Sequence, residues 1–371
     1  MVNFVSNDIL VLLGAGASCN AGILNSNQMI SAIEKDLNED EWREYKPLFH
    51  YVQSVHYQKE ILQGKKPGDV GFNIENLVSF LDIIIKISNS SEEPFVFVGT
   101  WEKRLIKFIN AEQESAFVSN FREKIINKIR GPWLQPPNWR QNSAYYKRLI
   151  DFKDELDGVT LEIFSLNYDL CVEHNLKDEA FEDGFDENGI WSFRRYDHEG
   201  ETDIGYYLYK LHGSLNWKKA KNGPLVKTEG HIDTNELAII FGVDNKLQSL
   251  DPYLFYFYLF REHCLNAKLI VTSGYGFLDE HINDVISQAF RDIPDKKLVI
   301  NTKGESSEDV KKVVSERLHI EVAQIEVFLK DASDFFHNDL KRATFEPLFA
   351  NEDADELPEG FIQDFDALTP E

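Results

Sequence analysis

The chain has 371 residues, 43% of them hydrophobic and 27% charged, a make-up that excludes collagen-like, disordered and disulfide-scaffold classes. Lys and Arg number 39 against 63 Asp and Glu, and the net charge of −24 repels phosphate backbones and anionic lipid, so no direct nucleic-acid binding is expected. Cys19, Cys171 and Cys264 are too scattered for a disulfide framework or a CxxC metal pair, and no run nears the ~18 apolar residues of a membrane helix, so the chain reads as cytoplasmic and free of membrane.

Ile9 to Leu13 is apolar and runs into Gly14-Ala15-Gly16-Ala17-Ser18, which predicts a strand, a glycine turn and a helix from Ala21 to Leu37. From Glu39 to Asp154 the period turns helical, clearest at Ile74, Leu77, Val78, Leu81, Ile84 and Ile85, and predicts an all-helical insertion. Strand patterns return at Leu161 to Leu166, Gly205 to Leu211, Leu237 to Phe241, Lys268 to Thr272, Lys297 to Ile300 and Gln324 to Phe328. Six of the eight residues from Tyr253 to Phe260 are aromatic with no basic residue among them, which suits buried core or a subunit interface better than base stacking.

Strands alternating with helices predict an α/β fold, a Rossmann-like, mostly parallel sheet with helices on both faces, plus the helical insertion. The expected division is a sheet-bearing domain from 1–38 and 155–345, an insertion at 39–154 and an acidic tail at 346–371; beyond Asn351 there are eight acidic residues and no Lys or Arg.

Ligands of such sheets sit beyond the carboxyl ends of the strands. Gly14, Ala15, Gly16 and Ser18 fall where a dinucleotide pyrophosphate lies, because glycine lets backbone approach phosphate. Position 19 is Cys19 and not the third glycine of GxGxxG, so a hydride-transfer module is not supported, and a ligand-free turn is the other reading. Asn167, at the end of the next strand, can donate to and accept from ribose hydroxyls or water, or make an Asx turn. Asp169 can orient a neighbour or cap the following helix. His212 is suited to act as a general base at neutral pH, with Ser214 beside it. Gly274 and Tyr275, in a glycine-rich exit followed by Asp279 and His281, either close over an adenosine or form an ordinary loop.

The order GAGAS, NYD, LHGS, SGYGF and DEHIN resembles the sirtuin family, and within it the bacterial sirtuin-like branch of anti-phage defence systems. The resemblance implies that Gly14, Gly16 and Ser18 hold the phosphates of NAD+, that Asn167 and Asp169 meet the nicotinamide-side ribose and the reacting water, and that His212 is the base. Deacylating sirtuins carry a four-cysteine zinc ribbon, and this chain has no CxxC; Leu166 stands where they have glutamine, and Gly22-Ile23-Leu24-Asn25 replaces their Gly-Ile-Pro-Asp. The implied activity is therefore NAD+ hydrolysis without a metal. A sensor that binds NAD+ or an ADP-ribose derivative is the alternative. After the catalytic core and the insertion the chain leaves no room for a sensor domain, so control is expected through a homo-oligomer and a separate partner, a HerA-like ATPase first and an argonaute-type protein second.

Overall fold

The computed structural model describes residues 4–66, 70–89, 102–196, 204–219, 224–240, 251–293 and 295–349; Phe241 of one predicted strand and the tail from 350 onward lie outside them. Ten strands occur among the described residues: β1 (Ile9–Leu13), β2 (Leu161–Ser165), β3 (Phe181–Glu182), β4 (Tyr206–Lys210), β5 (Gly213–Lys219), β6 (Leu225–Lys227), β7 (Leu237–Ile239), β8 (Leu269–Ser273), β9 (Lys297–Thr302) and β10 (Ile325–Leu329). Seven of them form one sheet in the order β10-β9-β8-β1-β2-β4-β3, with every pairing parallel. With the two-residue edge strand β3 set aside, the spatial order in chain sequence is 3-2-1-4-5-6, the doubly wound arrangement.

The central strands are apolar without alternation because both faces are covered: all five residues of β1 are buried. On one face Ile9, Val11, Leu13, Leu161 and Ile163 share a core with Phe49, Leu81, Phe121 and Tyr146. Those partners come from the stretch between β1 and β2, where every described element is helical, the α-helices being α1 (Ser26–Asp36), α2 (Lys46–Leu62), α3 (Ile74–Ser88), α4 (Glu102–Ser115), α5 (Phe117–Lys128), α6 (Trp139–Asn142) and α7 (Arg148–Glu155). The helical stretch and the sheet are thus held by one continuous apolar cluster. Following β2 come α8 (Cys171–Leu176), α9 (Tyr253–Asn266), α10 (Glu280–Asp292), α11 (Ser307–Leu318) and α12 (Ala332–Asn338). On the opposite face Leu10, Leu12, Phe164 and Ile270 pack against Tyr256 and Phe260 of α9 and Ile286 of α10.

Two local expectations need correction. The first helix does not run from Ala21: residues Ala15–Ala21 form a 3-10 stretch that Gly22 ends at φ 85°, and α1 starts at Ser26. Its start is fixed by a reciprocal cap in which Gln28 N donates to Asn25 Oδ1 and Asn25 N to Gln28 Oε1. The Leu237 strand does not join the main sheet but pairs antiparallel with β5, and β5 and β6 went unpredicted. The aromatic run is helical, with Tyr253, Tyr256 and Phe260 turned to the core while Leu254 and Tyr258 are exposed. No helix of the described residues is long and apolar enough to cross a membrane.

Candidate functional site

The main strands end flush, since Leu13 pairs with both Ser165 and Ser273, and Ser165 pairs with Lys210. The chain leaves β1 toward β2 on one side and later returns to β8 on the other, so the switch point lies at the carboxyl end of β1. There the two glycine turns pack backbone to backbone. Gly14 N donates to Ser273 O and Gly16 N to Gly274 O, each at 2.9 Å. A Cβ on Gly14 would stand 2.5 Å from Gly274 O, and one on Gly274, whose φ is 64°, 1.9 Å from Ala17 N. Glycine at 14, 16 and 274 is therefore already required by the meeting of the two turns, before any phosphate approaches. Ala15 and Gly16 keep partly exposed surface at this rim.

Asn167 lies two residues beyond the paired end of β2 and is buried. Its amide donates to Gly14 O at 3.0 Å and to Ser18 Oγ at 3.3 Å, while its Oδ1 has no hydrogen-bond partner among the described residues. A buried acceptor left unpaired costs about 1–3 kcal/mol, which a donating ligand or water would recover. Ser18 is fully buried, with its hydroxyl shared between Asn167 and Tyr146 OH at 3.0 Å, so it supports the amide from behind. Tyr145 OH donates to Ala17 O, so the helical stretch supplies two tyrosines to the floor of the turn. Burial pushes both phenols up, keeping them protonated hydrogen-bond donors. Asp169 stands one residue ahead of Leu170, the N-cap of α8, and its Oδ1 accepts from Cys171 N at 3.0 Å, an Asx-type turn that ties the loop to the start of the helix. Lys210 is buried against it, donating to Asp169 O and, at 2.8 Å, to Glu173.

His212 stands two residues beyond the paired end of β4, where the chain reverses into β5. The reversal needs Gly213, at φ 89°, because a Cβ there would fall 2.0 Å from Ala238 O. The imidazole is buried; its Nε2 lies 3.3 Å from Asp279 Oδ2 and its Nδ1 has no partner among the described residues. It borders a cavity otherwise lined by Leu211, Tyr253, Leu254, Phe257, Asp279, His281 and Ile282. Tyr168 follows Asn167 in the chain, and its ring centre is 6.3 Å from that of His212. Ser214 is fully buried and its hydroxyl has no partner among the described residues, and Tyr275 is buried with its hydroxyl donated to Asn283 Oδ1 at 2.8 Å. Asn167 and His212 therefore share one rim, with the amide turned to the glycine turn and the imidazole to Asp279. Sequence reasoning missed Tyr145 and Tyr146, whose place in the helical stretch gives no sign of the turn above them, and Asn283, which ties Tyr275 down.

The family model described as a SIR2-like domain matches residues 161–323, a span that contains Asn167, Asp169, His212, Ser214, Gly274 and Tyr275 but not the first glycine turn. Among solved structures the chain is similar to a Sir2 homologue in complex with NAD, at 10% identity and a TM-score of 0.40, over 92% of this chain and 90% of that one. It is also similar to Sir2 with a p53 peptide and NAD+, at 14% identity and a TM-score of 0.40, over 89% and 90% of the two chains. No curated protein matches it. The sheet defines the fold as Rossmann-like α/β, and within it residues 161–323 match the model of a SIR2-like domain.

Proposed function

We propose that the chain is an NAD+ glycohydrolase that cleaves NAD+ to nicotinamide and ADP-ribose. The observation that carries the reading is the placement of an amide and an imidazole, each two residues past the paired ends of neighbouring strands, on the rim of the switch point and within the SIR2-like match. The turn from Gly14 to Gly16 anchors the pyrophosphate, with Ser18 behind it and Ser214, Gly274 and Tyr275 framing the site. Asn167 Oδ1 accepts from a ribose hydroxyl or the attacking water, and Asp169 holds the loop that carries Asn167. The bond between C1′ and the nicotinamide nitrogen breaks, its electron pair neutralising the pyridinium. Water adds to the oxocarbenium-like C1′, and the released proton passes to His212. A cationic leaving group makes a second carboxyl acid unnecessary.

In this reading residues 1–38 and 155–345 are the catalytic domain, 39–154 an insertion beneath it and 346–371 an acidic tail. The protein acts in the cytoplasm as an abortive-infection effector against phage. A homo-oligomer and a HerA-like ATPase, or failing that an argonaute-type protein, restrain and trigger it. Support for that part comes from the motif order GAGAS, NYD, LHGS and SGYGF together with the missing CxxC. A non-catalytic sensor of NAD+ or an ADP-ribose derivative is the second reading, favoured by the fact that amide and imidazole have different partners, Gly14 for one and Asp279 for the other. Incubation with NAD+, alone and with the partner, followed by chromatography of the products separates the two. Loss of NAD+ that Asn167→Ala and His212→Ala abolish is expected; tight binding without turnover favours the sensor, and turnover unaffected by either substitution overturns the assignment.

A further inference from the structure

The loop from Gly274 to Asp279 is clamped at several points. Arg317 Nη1 and Asn283 Nδ2 both donate to Phe277 O, at 2.9 and 2.8 Å, and the one Tyr275 hydroxyl proton is shared between Asn283 Oδ1 at 2.8 Å and Asp279 O at 3.2 Å. At its end Asp279 is the N-cap of α10, with Oδ1 accepting from Ile282 N at 3.5 Å. The cap uses one carboxylate oxygen. The other, Oδ2, is turned to His212 Nε2, and both side chains are about nine-tenths or more buried. The remaining ring nitrogen, Nδ1, is buried and has no partner among the described residues.

We infer that Asp279 is the positioning residue of His212: its Oδ2 accepts Nε2–H, fixes the tautomer and the ring, and leaves Nδ1 as the atom that takes the proton. The inference rests on the glycohydrolase reading for the proton's origin, but the tautomer itself does not. The hydrogen bond on one ring nitrogen decides where the proton sits, and a carboxylate can only accept. A base held by a third group is the general arrangement of an activated site. Among the described residues Tyr168, whose ring stands 6.3 Å away, and Tyr253 and His281, which line the same cavity, are further titratable groups near the ring. Burial raises both phenols, so neither is a competing carboxylate-like acceptor.

Asp279→Asn separates positioning from capping, because asparagine caps a helix as well as aspartate does, whereas its amide can donate to Nε2 and turn the ring to the other tautomer. In full-length protein labelled with 15N-histidine, the His212 signal, assigned by its loss in His212→Ala, should report Nε2–H in the wild type and shift toward Nδ1–H in Asp279→Asn. NAD+ hydrolysis by Asp279→Asn should fall about 10²–10⁴-fold in kcat with KM little changed. Asp279→Glu should restore part of it. An Nδ1–H tautomer in the wild type, an unchanged tautomer in Asp279→Asn, or wild-type kcat in that variant beside an inactive His212→Ala would overturn the inference and leave the glycohydrolase reading standing. Full activity in His212→Ala, or no NAD+ hydrolysis by any form, would remove that reading instead, and the nitrogen spectrum would still decide the pairing.

Discussion

Three glycine-to-alanine substitutions resolve how the two turns at the switch point are held together. Gly64 has φ 94° and open space around its Cβ direction, so Gly64→Ala carries only the left-handed backbone penalty of about 1–2 kcal/mol. Gly14 has φ −103°, which any residue adopts, but its Cβ would stand 2.5 Å from Gly274 O and 2.6 Å from Tyr275 Cα. Gly14→Ala thus carries only overpacking against backbone, about 1–3 kcal/mol, with the Gly16–Gly274 hydrogen bond strained in addition. Gly274→Ala suffers both, with a Cβ 1.9 Å from Ala17 N at φ 64° and the bonds at both of its peptide groups, to Gly16 N and Asn301 O, disturbed. Its expected loss is about 3–6 kcal/mol, a large share of the roughly 5–15 kcal/mol that stabilises a folded protein. Urea unfolding followed by tryptophan fluorescence should rank the losses as Gly274→Ala, then Gly14→Ala, then Gly64→Ala. A Gly274→Ala protein no less stable than Gly64→Ala would refute the backbone-to-backbone contact between the turns.

Burial pushes the Glu162 carboxyl up to about 8 from an ordinary 4.5, against which its hydrogen bond from Tyr209 OH works only weakly, and burial pulls His263, 3.8 Å away, down to about 4. The folded state keeps the Glu162 proton where the unfolded state has lost it, so Glu162 lowers stability as pH rises from 4.5 to 8; His263, protonated only in the unfolded state between 4 and 6.5, opposes this below 6.5, and from 6.5 to 8, as the unfolded His263 finishes losing its proton, the net drop is about 1 kcal/mol. Thermal or urea unfolding across that window should show the decline in the wild type and a flatter course in Glu162→Gln, whereas equal slopes would mean that the carboxyl is ionised in the fold. Lys210→Met strands Glu173, whose carboxyl burial raises and Lys210 lowers, and should cost about 3–5 kcal/mol at neutral pH, less in acid, with the double variant Lys210→Met/Glu173→Gln recovering part of the loss. A Lys210→Met loss that stays the same in acid would show that the stranded carboxylate is not its source.

Much of the sheet was legible because strands buried on both faces read as short apolar runs, and Ile9 to Leu13 could be bounded to the residue by the glycine that follows. The start of α1 was misplaced although Asn25 and Gln28 spell a cap, because the apolar pattern upstream of it continues through the 3-10 stretch. The small antiparallel sheet was missed for a different reason: β5 does alternate buried Leu215 and Trp217 with more exposed Asn216 and Lys218, but it begins at the second residue after β4 pairing ends plus one, where His212 and Gly213 read as a turn alone. At the site the sequence identified which residues lie on the rim, since strand ends are readable. It did not identify their partners. Ser18 with Tyr146, Tyr275 with Asn283 and His212 with Asp279 are contacts between segments distant in the chain or side-chain directions within a loop, and neither leaves a periodic trace.

The account rests on Asn167 and His212 acting on one glycosidic carbon, and a crystal structure of His212→Ala with NAD+ bound tests this most directly. The predicted result is a pyrophosphate at the turn from Gly14 to Gly16 and a nicotinamide ribose whose C1′ lies between Asn167 Oδ1 and the space vacated at position 212, beside Tyr168. NAD+ bound with that ribose away from either residue, or bound elsewhere on the molecule, would contradict it.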